Sequence, residues 1–303
     1  MLYNFILILI FINYTYGYSI AVIGSTGNLG KYVISELCKN NMKIKILNRH
    51  NNSSNIINNY KRFKNIEIIN GNINDLNSIV KLLTNTDTCI SLQGSNRKSK
   101  LFDIIRYNND LSHPIYVNYI GIRNIIEAAK ITNTKHIIRI TGNGENPWSL
   151  TSIIINLLGS MSKAWNYAGE CELRESNITY TIIRPGIMHH DIDLDFSLIL
   201  RDNGNNIPIK KISYYNIAKL CIYSITHPNV KNTTLTAMTT DVGLGKSSWL
   251  PLLRNVNKDN KNFPNKIITI LNHYISVYFI SFILLSIFII ILNNIINYIK
   301  YII

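Results

Sequence analysis

The sequence is poor in acid, in cysteine and in proline. Asp and Glu number 17 against 31 Lys and Arg, a formal charge of +14 over 303 residues. Four cysteines are present, and no two form a Cys-x-x-Cys pair. A disulfide-stapled mini-fold is therefore excluded, and the spacing argues against a cysteine-built zinc site. No collagen, heptad or solenoid period runs through the chain. Wholesale disorder is excluded as well, because 47% of residues are hydrophobic and 10% aromatic, ample for a core.

Two residue types are in excess. Isoleucine occurs 58 times and asparagine 43 times, far above ordinary usage. With abundant Lys and Tyr, this suggests an AT-rich coding sequence, which loads Ile into cores, Asn into loops and Lys onto surfaces. The positive charge is then weak support for nucleic acid. No basic-aromatic stripe, zinc finger or helix-turn-helix signature adds to it, and no nucleic-acid partner is expected.

The two ends differ from the middle. Leu2 to Ile12 is almost purely apolar, too short to span a bilayer and suited to a signal-peptide core, although a basic flank is missing. Residues 1–17 are read as a signal or targeting segment, with a possible cut at Gly17/Tyr18. At the other end, Tyr274 to Leu292 reads YISVYFISFILLSIFIIIL without a charge. A helix of that length reaches about 28 Å, near the hydrocarbon thickness. It is apolar all round, so a membrane helix is expected over 274–292, with a tail at 293–303. Arg254, Lys258, Lys261 and Lys266 form a basic linker at 254–273, while Lys300 alone follows the span. The positive-inside rule puts the preceding domain on the cytoplasmic side, whereas a cleaved signal would put it in a lumen. A single-pass membrane protein of the secretory pathway or an organelle is expected, with both orientations open.

Between the ends, strand-like and helix-like runs alternate. Tyr18 to Ile23, Lys43 to Leu47, Ile66 to Ile69, Thr88 to Leu92, His136 to Ile140 and Tyr180 to Ile183 read as strands. Lys31 to Asn40, Val117 to Lys130 and Tyr214 to Thr226 read as helices. This alternation predicts one α/β domain over 18–253, a doubly wound parallel sheet with helices on both faces.

The first chemistry lies in GSTGNLG, residues Gly24, Ser25, Thr26, Gly27, Asn28, Leu29 and Gly30. The loop follows a strand and opens a helix. Gly24 permits the sharp turn, Gly27 lets backbone approach a pyrophosphate, and Gly30 lets the helix pack on the sheet. The helix N-terminus offers N–H groups and a positive dipole end to phosphate. A Rossmann-like dinucleotide site is expected. The second strand ends KIKILNRH, with no acid to hold a ribose hydroxyl. Asn48 and Arg49 stand there instead, and Arg49 can pair with a 2′-phosphate, favouring NADP over NAD.

These residues resemble the short-chain dehydrogenase/reductase superfamily. The closer likeness is to its atypical, NmrA-like branch, which includes plant and plastid NAD(P)-binding proteins. The likeness runs from about Ser19 to about Ala237. It is carried by GSTGNLG, by Leu47-Asn48-Arg49, by GNINDL at Gly71 to Leu76, by VNYIGIRNIIEAAK at Val117 to Lys130, and by ELRESNITYTIIRPG at Glu172 to Gly186. The last string is the most specific. In the family it ends a strand and begins the loop over the nicotinamide, which implicates Pro185 and Gly186. The resemblance also implies cofactor contacts from Asn72 and Ile73 after the third strand, where the family usually has Asp. Further contacts are implied from Leu92, Gln93 and Gly94 after the fourth strand, and from Thr141 after the fifth. Scaffold roles for Arg184 and Pro185 are equally open.

Reductases of this superfamily use a Ser, a Tyr and a Lys, with Tyr moving the proton, Lys lowering its pKa and Ser orienting the substrate. Anchored on Trp165, Glu170 and Leu173, those positions fall on Gly142, Ser162 and Asn166. All three are substituted. Asn166 brings no ammonium and Ser162 no acidic proton near neutral pH. Lys163 and Tyr167, also four apart, are weak substitutes and are more simply read as packed or solvated helix residues.

Other sites are weaker. His189-His190-Asp191 with Asp193 and Asp195 reads as a loop near the substrate, and no metal is expected. Gly243-Leu244-Gly245-Lys246-Ser247 lacks the first glycine of a P-loop. Cys38, Cys89, Cys171 and Cys221 read as packed thiols. The expectation is a membrane-tethered NADP(H)-binding protein of the atypical branch, an oxidoreductase of unknown substrate. The alternative is a non-catalytic NADP(H)-binding redox sensor or assembly factor with a protein partner in a membrane complex. Membrane lipid is the expected partner of the C-terminal helix.

Overall fold

A computed structural model describes residues 18–49, 55–100, 103, 110–143, 146–191, 197–205, 207–240, 243, 246 and 248–302. The expected signal segment at 1–17 lies outside the described residues, as do Asp193, Asp195, Leu244, Gly245 and Ser247.

The strands are β1 (Ser19–Ile23), β2 (Lys43–Asn48), β3 (Ile66–Asn70), β4 (Thr88–Ser91), β5 (His136–Ile140), β6 (Thr179–Pro185), β7 (Ile187–His189), β8 (Ser197–Arg201), β9 (Lys211–Ser213) and β10 (Thr233–Thr240). The helices are α1 (Asn28–Lys39), α2 (Asn55–Tyr60), α3 (Leu76–Leu83), α4 (Gly121–Thr132), α5 (Leu150–Leu158), α6 (Ser162–Arg174), α7 (Tyr214–Thr226), α8 (Trp249–Leu253) and α9 (Lys266–Ile302).

Eight strands form one sheet in the order β3-β2-β1-β4-β5-β6-β10-β8. The first seven run parallel, and β8 closes the edge antiparallel to β10, Thr236 opposite Arg201 and Thr240 opposite Ser197. This is the expected Rossmann-like doubly wound sheet. Its central strands have no solvent face: every residue of β1, β4 and β5 is buried. Continuous Ile/Val/Ala runs are what such double burial selects. One apolar layer joins α1 and α7 to the sheet through Val33, Leu37, Ile217 and Leu220. The other joins α3 and α4 through Ile79, Leu82, Ile122 and Ile125.

The strand order reverses between β1 and β4, opening a crevice beyond their C-terminal ends. Side-chain caps close the N-termini of α3, α5 and α7, where Asp75, Ser149 and Ser213 accept from the first-turn amides. Helix α1 differs: its cap is Gly27, without any side-chain bond. Asparagine excess also has a structural use. Asn41, Asn85, Asn133, Asn177, Asn203 and Asn232 all take positive φ, a region this short polar residue tolerates.

Two expectations shift. The helix expected from Val117 begins as a π-helical turn at Ile115–Ile120 before continuing as α4. The C-terminal helix starts at Lys266 and runs 37 residues, inside the stretch expected as linker. It is long and apolar enough to cross a membrane. Its first turns pack on α5 and α6, with Val277 buried beside Ile153, Met161 and Ala164.

Candidate functional site

A cleft of about 1060 Å³ opens beyond the C-terminal ends of β1 and β4. Its floor is the glycine loop, with Gly24, Thr26, Gly27, Asn28, Leu29 and Gly30 on the surface. Gly24 has φ +87°, and an added Cβ would stand 3.0 Å from the Leu92 and Gln93 backbone. At Gly30 a Cβ would meet the Gly24 carbonyl at 2.3 Å. The turn and the helix–sheet approach therefore require glycine at both places. Gly27 is different. A Cβ there finds only the Gly24 carbonyl, at 3.4 Å, so the protein itself has room for it. The space it leaves empty belongs to the cleft, beside the uncapped start of α1. Gly94 is alike: it lines the cleft, and a Cβ there would touch nothing.

Asn48 and Arg49, after β2, line the next part of the cleft, followed by Asn72 and Ile73 after β3. The Asn48 amide donates to Asn70 Oδ1 at 2.9 Å, and Asn72 Oδ1 accepts from the Asn74 amide at 3.1 Å, which fixes the turn after β3. Across the cleft stand Asp110, Leu111 and Ser112. The Ser112 hydroxyl, 2.6 Å from Asp110 Oδ1, and its backbone N–H hold the Asp110 carboxyl down at about 2.

Leu92, Gln93, Gly94, Thr141, Asn166 and Met188 line the far part. Its geometry depends on a residue that sequence reasoning did not single out. Arg139 of β5 is buried and donates to Ser91 Oγ (3.2 Å), to the Gln93 carbonyl (2.7 Å) and to Asn166 Oδ1 (3.2 Å). Burial pulls its guanidinium down to about 10, so it stays protonated at neutral pH. A cation thus sits behind Asn166, supplied by the sheet instead of by α6. A second buried centre is Glu170, which accepts from Thr141 Oγ1 (2.6 Å), Arg174 Nη2 (2.8 Å) and Arg184 Nε (3.1 Å). Arg184 is fully buried in this network and absent from the cleft wall.

The remaining expected residues lie off the cleft. Ser25 is buried below the loop, its carbonyl accepting from Tyr60 Oη at 3.0 Å. Pro185 ends β6 and Gly186 follows it, both outside the lining. At Gly142, a Cβ would face Lys163 Nζ at 3.5 Å. Lys163 donates to the carbonyls of Gly142 and Asn143, and burial brings its ammonium down to about 8. Ser162 Oγ accepts from Asn118 Nδ2 at 3.2 Å, and Asn118 belongs to the π-helical turn. Tyr167 donates to the Pro264 carbonyl at 2.6 Å, and burial raises its phenol pKa. Lys163 and Tyr167 are thus tied to different partners, and neither lines the cleft.

Around the mouth, His190 lies against Tyr214 and Tyr32 with ring centroids 4.9 and 6.2 Å apart. Among the described residues no three His, Cys, Asp or Glu gather as a metal set. Cys89 and Cys221 are fully buried, which pushes both thiols up to about 12.

A parallel sheet with this strand order, a glycine turn at its reversal point and an uncapped helix facing the cleft defines a Rossmann-type dinucleotide-binding protein. The family model described as NAD(P)H-binding matches residues 24–228, and the chain belongs to that family. Among curated relatives it is 28% identical over 185 residues to protein TIC 62 of Pisum sativum chloroplasts, covering 57% of this chain and 33% of that protein. It is 22% identical over 222 residues to the photosystem II assembly factor Ycf39 of Trieres chinensis, covering 71% and 62%. The chain thus spans about a third of the length of its TIC 62 relatives. A short-chain dehydrogenase/reductase of Veillonella parvula, solved with NADP, superposes with a TM-score of 0.57 at 15% identity, covering 81% of this chain and 99% of that one. An anaerobillin reductase from Escherichia coli O157:H7 gives 0.57 at 14%, covering 74% and 98%. The chain is an NAD(P)-binding protein with a Rossmann-type fold.

Proposed function

We propose that the chain is a membrane-tethered NADP(H)-binding module of the atypical short-chain type, working as a redox sensor or assembly factor. The observation that carries this reading is a contrast within one cleft. The glycine turn, the uncapped start of α1 and Arg49 line it, while among the described residues neither Lys163 nor Tyr167 does. The fit to the cofactor is physical. Gly27 and Gly94 leave open the space their side chains would fill, and the buried Gln93 amide nitrogen in the cleft wall has no partner among the described residues. Gly24 to Gly30 would hold the pyrophosphate, and Arg49 the 2′-phosphate. Asn72 and Ile73 would meet the adenine, and Thr141 and Asn166 the nicotinamide end. When bound, the nicotinamide supplies hydride chemistry.

The assembly role is supported by the likeness to Ycf39, whose name carries that function. Membrane tethering is supported by α9. A second reading is hydride transfer that needs no enzyme-borne proton donor. It is favoured by the open wall beside Met188, in a cleft at the upper end of ordinary ligand sites.

The test uses the full chain in nanodiscs. NADPH binds more tightly than NADH, and Arg49→Ala weakens NADPH by about tenfold or more, equivalent to about 1.4 kcal/mol, with little change for NADH. An NADH preference contradicts the NADP assignment. NADPH consumed in a carbonyl or quinone panel moves the conclusion to the second reading.

A further inference from the structure

Helix α5 has two unlike faces. Ser152, Ile153 and Asn156 are buried towards the body of the protein. On the other side Leu150, Ile154 and Leu158 are 69%, 45% and 64% exposed. Their i, i+4, i+8 spacing makes one apolar stripe. From Ser149 to Met161 no side chain carries a charge.

The stripe is continuous with the long C-terminal helix. Trp148, just before α5, meets Phe279 of α9 edge-on with ring centroids 6.2 Å apart. Further along, Asn156 Nδ2 meets His273 Nδ1 at 3.0 Å. Helix α5 therefore runs antiparallel beside the first turns of α9, its N-terminal end towards the projecting part. That part begins after Ile280, the last residue packed on the domain cluster.

Because Tyr274 and Val277 pack on the domain, the span shifts from the uncharged run at 274–292 to Tyr278–Tyr298, about 30 Å along the helix, which matches the hydrocarbon core. Tyrosine at both boundaries is the usual interfacial pattern. The headgroup layer adds about 5–7 Å on each side, roughly four helical residues, and so reaches back to Tyr274, the level of Asn156. Leu150 and Ile154 then fall within the headgroup layer, and Leu158 at its outer edge.

We propose that α5 is a second membrane contact. Its stripe, with Trp148, lies in the headgroup layer of the bilayer that α9 crosses and fixes how the domain stands on that surface. The inference rests on the membrane-tether reading above. A lipid surface suits the stripe because it is uncharged, because a tryptophan sits at its membrane end, and because it runs without a break into the apolar helix.

The full chain is reconstituted in phosphatidylcholine/phosphatidylglycerol vesicles, and an NBD probe is placed on one cysteine at a time. The positions are Leu150→Cys, Ile154→Cys, Leu158→Cys, Phe288→Cys in α9 and Lys81→Cys on α3. The background is Cys38→Ser, since the other cysteines are buried. Nitroxide lipids labelled at the headgroup or deep in the acyl chain report depth. Headgroup quenching with a blue shift is expected at Leu150→Cys, fading through Ile154→Cys to Leu158→Cys. Acyl-chain quenching is expected at Phe288→Cys, and none at Lys81→Cys. Quenching at Phe288→Cys while the α5 probes match Lys81→Cys overturns the contact and leaves the tether standing. No quenching at Phe288→Cys overturns the tether and the contact with it. A blue shift on α5 without lipid quenching means that protein covers the stripe, which overturns the lipid assignment.

Discussion

Gly27 and Gly30 stand three residues apart in one loop under different constraints. A methyl at Gly30 meets backbone carbonyl oxygens at 2.3 and 2.5 Å. Gly30→Ala is expected to lose about 1–3 kcal/mol of stability through overpacking, read as a lower melting temperature without any nucleotide. Gly27→Ala meets nothing closer than 3.4 Å and is expected to keep its melting temperature while losing NADPH binding. Equal effects of the two substitutions on stability would contradict this division. His136 gives a pH prediction. It is buried between Thr181 Oγ1, 2.9 Å from Nε2, and Lys231 Nζ, 2.7 Å from Nδ1, and both burial and Lys231 hold its pKa well below 6.5. The unfolded chain takes up this proton near pH 6.5 and the folded chain does not. The stabilising contribution is therefore full above that pH and is lost as pH falls below it, at up to about 1.4 kcal/mol per pH unit. Denaturant melts between pH 7.5 and 5 should show this slope, and His136→Gln should flatten it. The turn at Gly24 and the close packing at Gly30 were legible in sequence because both follow from backbone conformation. Arg139 and Glu170 were not, since nothing in HIIRI or AGECE says that a charge is turned inward.

At the scale of elements, Glu170 joins α6 to the sheet. It accepts from Arg184 on β6 and from Thr141 after β5, and it shares Arg174 with Asp259 of the linker, which lies 3.9 Å from Arg174 Nε. Glu170→Ala leaves two buried guanidinium groups without their main partner and should cost about 3–5 kcal/mol. A smaller loss in denaturant melts, below about 1 kcal/mol, would show that Asp259 compensates. The central elements were readable from apolar runs and helical periodicity. Strands β1 to β6 stand where those runs fall, with ends shifted by a residue or two, and α7 matches at both ends. Strands β7 and β9, with three residues each, are too short to show a period. Strand β10 is rich in threonine, whose burial depends on bonds such as Thr234 Oγ1 to Asp259 Oδ2 at 2.6 Å. Helix α9 extends back to Lys266 because Thr269, His273, Ser276 and Val277 face the domain, a contact that hydropathy alone does not reveal.

For the whole molecule, one sheet holds the cleft proposed for the dinucleotide at its reversal point, and one long helix leads away from it. The fold class was legible because alternation of strands and helices restricts topology so strongly. The sequence-based expectation that the Ser, Tyr and Lys positions are substituted rests on the alignment of one motif. Where Lys163 and Tyr167 turn was not legible, since that depends on loop carbonyls at Gly142, Asn143 and Pro264 from distant segments. The central claim is that this cleft binds NADP(H). Calorimetric titration of the full chain in nanodiscs tests it most directly. One NADPH site per chain, tighter than that for NADH and lost in Gly27→Ala, is the predicted result. No heat with either nucleotide, from protein that melts cooperatively, would contradict it.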